Sequence, residues 1–558
     1  MVMRISSLDN ININNHFKVA AGPGSGKTTF LINHINNIIE NSDKISNYRK
    51  ICCITYTNVA VDNILKKLNN SIQYVEVSTI HSFLYTHIIK PYLWSISQKY
   101  NIDIANLQED NNFFSKSLLR EYIKITNQTY IGKSHKNFNI IRDVLSTLTW
   151  KLDKKSNKDT IKPIKNQKVE AQSGKLMFLK NDSFITFKEL CWQRGLISFD
   201  DVLYFSYKIL TEYPKVAEII RAKFPFILID EFQDTSPIQC EIIKIIMQKE
   251  TIVGVVGDRC QSIYRFQGSD VKQFETFSCI GMKHYYIPQN HRSCKRIVSF
   301  LNYIRGAKEE YQIPFLSEEG NSPKILVGKP LCAMKKCLEQ HNSNNLYILT
   351  YTNDTVAFLR HNNEDEENYK INGILTNCDE RLQIVKYAIT AIEKAKKNNL
   401  KEALKYIKKV YKDINDERLP IIQLQNFINN YNTIKSLSIT DFYNNHINIP
   451  PKITSGKIKE TYDSIRYIDI AFLVNNNINN IKTIHNAKGD GYENVLVVID
   501  ENKNLDFLLN PDMTNEIHRL YYVAFSRAIK NLYINIPNID EITTQLLNEK
   551  NLFDLEIL

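Results

Sequence analysis

Residues 20–29 read AAGPGSGKTT, and what stands on either side of them decides the kind of fold that can hold them. Before them comes a short apolar segment, Phe17-Lys-Val-Ala-Ala21; after them FLINHINNII, residues 30–39, repeats apolar side chains at helical spacing. A strand, a glycine-rich turn and a helix, with the pattern Gly22-x-x-x-x-Gly26-Lys27-Thr28, make a phosphate-binding loop. Glycines let backbone N–H groups curl around phosphate oxygens, and the start of the helix adds partial positive charge. Lys27 is placed for the β- and γ-phosphates and Thr28 for Mg2+, with Pro23, Gly24, Ser25 and Thr29 lining the same nucleotide. Alone, the loop serves kinases, GTPases and transporters equally well.

Its partner lies two hundred residues on. Phe226-Ile-Leu-Ile-Asp-Glu-Phe-Gln-Asp-Thr235 begins with four consecutive apolar residues, the pattern of a central parallel strand covered on both faces. Asp230, at the strand end, is placed to anchor Mg2+ through water, and Glu231 to orient the attacking water. Loop and acidic strand end together predict nucleoside triphosphate hydrolysis in a doubly wound α/β core.

A chain of 558 residues is too long for one core and predicts three or four domains. Lys plus Arg outnumber Asp plus Glu by 71 to 60, and the resulting +11 favours a polyanionic partner without identifying one. The ten cysteines form no metal box. Cys52 and Cys53 are adjacent in an apolar segment, and no second pair accompanies Cys332 and Cys337 at zinc spacing. They read as reduced core residues of a cytoplasmic protein. The opening MVMRISSLDN lacks the apolar core of a signal peptide, and no later run reaches the ~18 apolar residues of a membrane span.

Further segments follow in a fixed order: Ile54-Thr-Tyr-Thr-Asn58, Ser78-Thr-Ile-His-Ser-Phe83, Asp230 to Asp234, Val256-Gly-Asp-Arg-Cys-Gln-Ser-Ile-Tyr-Arg-Phe-Gln-Gly268, Asn290-His-Arg-Ser293, Thr483 to Val495, and Tyr522-Val-Ala-Phe-Ser-Arg-Ala528. From residue 20 to about 530 the chain thereby resembles the UvrD/Rep-type branch of superfamily 1 helicases. The resemblance implies two RecA-like P-loop NTPase domains with parallel sheets, each carrying a mainly helical insertion. It also implies ATP and Mg2+ as cofactors, and 3′→5′ movement on single-stranded or partially duplex DNA. Lys27, Asp230, Glu231, Gln261, Arg292 and Arg527 would form the catalytic set, the two arginines neutralising charge on the transferred phosphoryl group. Gln233 would sense the γ-phosphate, and Gly489 would lie beside the nucleotide. Thr55, Thr57, Asn58, Thr79, His81, Phe83, Tyr264 and His485 would follow the DNA. Phe266 stands at the family's Trp position and would stack on a base, a contact worth about 1–3 kcal/mol.

The chain also departs from the pattern. Gln267 replaces an Arg, and Tyr351-Thr-Asn353 lacks a leading Arg. Gly491 stands where the family's Glu contacts the ribose, with Asp490 a nearby substitute. No adenine-reading glutamine precedes Ala20, so adenine selection rests on the resemblance.

The motif order divides the chain. Residues 1–85 and 196–285 are expected to form the first RecA-like domain, and 286–375 with 475–535 the second. Residues 86–195 form one insertion, whose basic block KLDKKSNKDTIKPIKNQK, 151–168, is either a solvated loop or a phosphate-touching surface. Residues 376–474 form a small helical insertion, and 536–558 a C-terminal tail too short for another catalytic domain. Length and motif wording resemble the helicase subunit of the Gabija antiviral defence system, which works with a separate OLD-type nuclease subunit. Two alternatives stay open: a stand-alone helicase in repair or mobile-element upkeep, and a DNA-sensing regulatory ATPase that switches a partner with little strand separation. An inactive scaffold is disfavoured because the hydrolytic set is complete.

Overall fold

The computed structural model describes residues 2–109, 115–131, 135–152, 159–164, 168–171, 173–265, 268–341, 345–361, 380–397, 399–411, 416, 418–475, 480–499 and 505–558. Two wholly parallel sheets organise the chain. The first contains β1 (Met3–Arg4), β2 (Phe17–Ala21), β3 (Ile51–Thr55), β4 (Val75–Thr79), β5 (Phe226–Ile229), β6 (Ile252–Gly257) and β7 (Lys283–Ile287). Their spatial order is β1-β7-β2-β6-β5-β3-β4. The second contains β8 (Lys324–Val327), β9 (Leu346–Thr350), β10 (Ile481–Thr483), β11 (Tyr492–Val498), β12 (Ala528–Ile536) and β13 (Asp554–Ile557), ordered β10-β9-β11-β12-β8-β13. This is a pair of RecA-like domains.

Strand β5 shows why the apolar run folds as it does. Phe226 and Leu228 pack with Phe17, Phe30 and Ile35 on one face of the sheet. Ile227 and Ile229 pack with Val202, Phe205 and Ile242 on the other. A period of two sends alternate side chains to opposite cores, so only an unbroken apolar run suits a strand covered twice.

The segment 536–558, expected as a tail, is instead part of the second domain. Its strand β13 pairs in register with β8, Lys324 opposite Asp554 and Val327 opposite Ile557. Leu547 and Phe553 reach the core beside Phe300 and Phe525. These two side chains anchor the segment, which the short stretch after the last motif did not suggest.

The insertion at 86–195 combines helices Lys116–Ile125, His135–Leu145 and Ser183–Trp192 with two antiparallel strand pairs, 148–151 with 160–163 and 168–170 with 176–178. The basic block therefore contributes strands to these pairs where it is described. Tyr122, Trp150 and Trp192 join the same core as Phe205, so this insertion is continuous with the first domain. Two aspartates fasten it. Asp200 accepts from Trp150 N at 2.7 Å and Thr149 Oγ1 at 3.3 Å, while Asp201 accepts from Trp150 Nε1 at 3.1 Å and Lys188 Nζ at 3.0 Å. The helical insertion has its own core, from Leu382 to Ala471. Among the described residues no helix is long and apolar enough to cross a membrane.

Candidate nucleotide and nucleic-acid site

Ligands of open parallel sheets gather at the carboxyl ends of the strands, where neighbouring connections leave in opposite directions. Here the phosphate loop follows β2, Asp230 follows β5, Asp258 follows β6 and Asn290 follows β7. The loop leads into helix α1 (Lys27–Asn41), capped by Gly26 at φ 82°. Thr28 is half-buried and Thr29 exposed in its first turn. Lys27 Nζ donates to the carbonyls of Ala21 and Gly22, each at 3.3 Å. Ser25 Oγ donates to Gly22 O at 2.8 Å, bracing the turn.

The second domain presses directly on this loop. His291 N donates to Gly24 O at 2.8 Å, and a Cβ on Gly24 would lie 2.6 Å from the Cβ of Arg292. Glycine is needed there for close approach as well as for its φ of 69°. Gln312, a residue no motif pointed to, is buried and donates to Pro23 O at 2.9 Å while accepting from Asn290 at 3.1 Å.

Asp230 and Glu231 form an acidic pair whose members behave differently. Burial and the neighbouring Glu231 raise the pKa of Asp230, against the opposing charge of Lys27. Burial also works against the Glu231 carboxylate, but Lys27, Lys488, Gln233 and Arg527 outweigh it and hold its pKa low. Glu231 is thus an ionised acceptor, suited to orienting a water. Asp230 is a carboxylate short of positive charge, and together with the Thr28 hydroxyl it is the donor set that suits Mg2+ carried in on phosphates. The residues present fit that cation.

From the acidic pair a hydrogen-bonded path crosses to the second domain. Gln233 donates to Glu231 and accepts from Asp258 N at 2.9 Å. Gln261 Nε2 donates to Asp258 Oδ2 at 2.7 Å, and Gln261 Oε1 accepts from Arg527 Nη2 at 3.3 Å. Arg527 precedes β12 and also donates to Asp490 O at 3.0 Å. Burial and the charge of Arg292 lower its pKa to about 9. Arg292 donates to Ser526 O at 3.1 Å and Gly489 O at 3.4 Å. A polyphosphate beside both guanidiniums would relieve their mutual repulsion.

Gly491 lies under Arg292: a Cβ there would stand 3.1 Å from Arg292 Nε. The absence of a side chain leaves room for the guanidinium. Asp490 does not stand in as a free carboxylate, since it accepts from Tyr492 OH at 2.6 Å and faces Lys482 at 3.6 Å.

The residues expected along the DNA divide. Thr57 Oγ1 accepts from Ala60 N at 3.2 Å at the start of helix α2 (Asn58–Leu68), with Asn58 exposed beside it. Thr79 accepts from Ser82 N at 3.3 Å and caps helix α3 (Ile80–Leu84). Thr55 is 1% exposed at the end of β3, its hydroxyl without a hydrogen-bond partner among the described residues. Tyr264 stacks on Tyr56 with centroids 4.8 Å apart and donates to His485 O at 3.4 Å. Lys488 pairs with Asp234 and donates to Gln261 O at 2.8 Å, closing the two domains around Tyr264.

Phe83 is a correction. At 1% exposure it packs against His87 and Phe224, so its ring belongs to the core and does not reach a strand. Apolar neighbours on both sides of β4 claim it. Phe266 lies outside the described residues. An aromatic that the sequence reading did not single out lies nearby: Phe199, 46% exposed at the start of helix α4 (Phe199–Glu212), is 5.4 Å from the His81 ring. Burial lowers the His81 pKa to about 4, so this pair is neutral. Between the first strand pair of the insertion and the loop at Arg265 and Gly268 opens a cavity of about 790 Å³, walled by Trp150, Ile164 and Pro237.

Comparisons with known proteins agree with these features. The UvrD/REP helicase N-terminal domain family matches residues 7–279. The Gabija protein GajB of Bacillus cereus is 26% identical over 94% of this chain and 93% of its own length. The ATP-dependent DNA helicase Rep of Buchnera aphidicola is 28% identical over 51% of this chain and 40% of its own. For the ATP-dependent DNA helicase PcrA of Staphylococcus aureus the values are 26%, 51% and 37%. The chain thus spans less than half the length of Rep and PcrA, and nearly all of GajB.

Proposed function

From a chain whose residues 7–279 are a UvrD/REP helicase N-terminal domain, we propose an ATP-dependent DNA motor that moves 3′→5′ on single-stranded DNA and acts in Gabija-type antiviral defence beside an OLD-type nuclease subunit. One observation carries the motor reading: the catalytic cleft is made by both domains, with Arg292 against Gly24 and Arg527 against Gln261. Such a cleft is complete only when the domains meet, so hydrolysis is tied to their relative motion.

The roles follow from the placement of each group. Lys27 leaves its two carbonyl partners to bind phosphate oxygens, and the loop amides hold the rest of the chain of phosphates. Glu231 orients the attacking water through its ionised carboxylate. Arg292 and Arg527 balance the charge that builds on the transferred group, in a site too buried for water to do so. Bound Mg2+ supplies charge neutralisation between the phosphates. Tyr264, touching both Tyr56 and His485, places the DNA side of the cleft beside the nucleotide side.

The decisive experiment measures ATP hydrolysis with and without single-stranded DNA, then unwinding of partial duplexes with 3′ or 5′ tails, each with and without the nuclease subunit. DNA-stimulated hydrolysis with unwinding from the 3′ tail is expected. Stimulation without unwinding in any arm would leave a DNA-sensing ATPase in place of a helicase. One finding supports the defence assignment: similarity to GajB along nearly the whole chain.

A further inference from the structure

The segment 258–263 leaves the first sheet at the end of β6, yet Cys260 and Ile263 are buried in the hydrophobic core of the second domain. Cys260 is 0% and Ile263 1% exposed, among Phe300, Ile304, Tyr522 and Phe525. The piece of chain that carries Gln261 is therefore covalently part of one domain and packed as part of the other.

Arg305 holds the base of that segment. It ends helix α5 (Lys295–Arg305), the helix that follows Arg292, and is 4% exposed. Its guanidinium meets both oxygens of Asp258: Nη1 donates to Oδ2 at 3.2 Å, and Nη2 lies 3.0 Å from Oδ1 in an ion pair. Nη1 also donates to Tyr522 OH at 3.0 Å, and Nη2 to Glu310 Oε2 at 2.9 Å. Tyr522 lies on helix α6 (Glu516–Phe525), the helix that leads into Arg527. The Asp258 carboxylate, fixed in this fork, accepts from Gln261 Nε2 at 2.7 Å and from Cys260 N at 3.1 Å. Gln261 is thereby turned so that its carbonyl oxygen faces Arg527.

We propose that Arg305 is a positioning residue for ATP hydrolysis, which by gripping Asp258 and Tyr522 together sets the Gln261 side chain against Arg527 and makes segment 258–263 move as one body with the second domain. At 4% exposure Arg305 is too buried to reach a nucleotide or a DNA strand directly. A planar fork is required, because one group must meet two carboxylate oxygens and a phenol in a fixed plane. A lysine keeps the charge and loses that geometry. The inference rests on the motor reading above, since it assigns how DNA contact reaches the hydrolytic residues.

The test compares wild type, Arg305→Lys and Tyr522→Phe in the full chain, with concentrations corrected for folded protein by thermal unfolding. For Arg305→Lys, kcat of DNA-stimulated ATP hydrolysis is expected to fall on the order of 10–100-fold, the cost of a displaced catalytic group. KM for ATP and affinity for single-stranded DNA should stay within about threefold, because neither ligand touches Arg305. Tyr522→Phe removes one hydrogen bond from the fork and should lower the same kcat by about 2- to 10-fold. It also carries the test if the lysine variant does not fold. Wild-type kcat in both variants, or equal losses in kcat and DNA affinity, would overturn the assignment. Wild type showing no stimulation by DNA would instead strike the motor reading itself.

Discussion

Arg527 Nη2 donates to Gln261 Oε1 over 3.3 Å, joining an arginine that leads into the second sheet to a glutamine that leaves the first. Because Arg527 is 1% exposed and Arg292 lies close enough to lower its pKa to about 9, it meets charge with almost no solvent screening. Arg527→Ala should therefore lower kcat for ATP hydrolysis by about 10³-fold or more, with a smaller effect on KM. Steady-state phosphate release measures both. A loss below tenfold would remove Arg527 from the catalytic set.

Glu231 is ionised while its neighbour Asp230 is pushed towards the neutral form. Glu231→Gln keeps the shape of the side chain and removes the charge that polarises water. It should lower kcat by about 10²–10⁴-fold while ATP binding, read by a fluorescent nucleotide, is retained. Hydrolysis near the wild-type rate would transfer the role to another group.

Phe199 is 46% exposed beside a neutral His81. Phe199→Ala should weaken binding to single-stranded DNA by about 1–3 kcal/mol, and thermal stability should hardly change because the ring is not in the core. Fluorescence anisotropy with a labelled oligonucleotide reads the first quantity. Unchanged affinity would place the strand elsewhere.

Asp200 fastens the insertion, and burial raises its pKa to about 6, against the pull of Lys188 and of the Trp150 amide. Its unfolded value is near 3.9, so between about pH 4 and 6 the native state binds more protons than the unfolded chain. Stability contributed by this group is complete below pH 4, falls as pH rises towards 6, and is flat above. Asp200→Asn keeps the acceptor without the charge. It should remove that slope and raise stability at pH 7 by about 1–2 kcal/mol. Thermal unfolding of both proteins from pH 4 to 7 tests it; parallel curves would be the wrong outcome.

The phosphate loop and the acidic strand end could be read from the chain because each couples a local backbone signal to a reactive side chain, whereas Arg292 and Arg527 stand out only through the resemblance of their segments to a family. A run of four apolar residues before Asp230 has only one structural use, and AAGPGSGKTT carries its own geometry. Gln312 and Arg305 could not be read. Neither follows a turn or a strand signal, and each matters through a partner far along the chain: Pro23 for one, Asp258 for the other. That Phe83 is buried and Phe199 exposed could not be read for a related reason. Both are aromatic residues near a helix start, and which one faces solvent depends on tertiary neighbours such as Phe224. The strand at 554–557 escaped notice because four residues pairing with β8 leave no pattern of their own.

The packing of Cys260 and Ile263 also sets a timetable. The strands of the first sheet are all synthesised by Ile287, but the core that covers these two residues is not finished until Phe553. At about 5–20 residues per second, a ribosome needs about 13–53 s to travel from one to the other. For that interval the apolar side chains of Cys260 and Ile263, on a turn attached to a domain able to fold, lack the core that later covers them. A chaperone or assembly partner that meets the growing chain would find its handle there, and the part of the motor that links its two halves is made early and buried last.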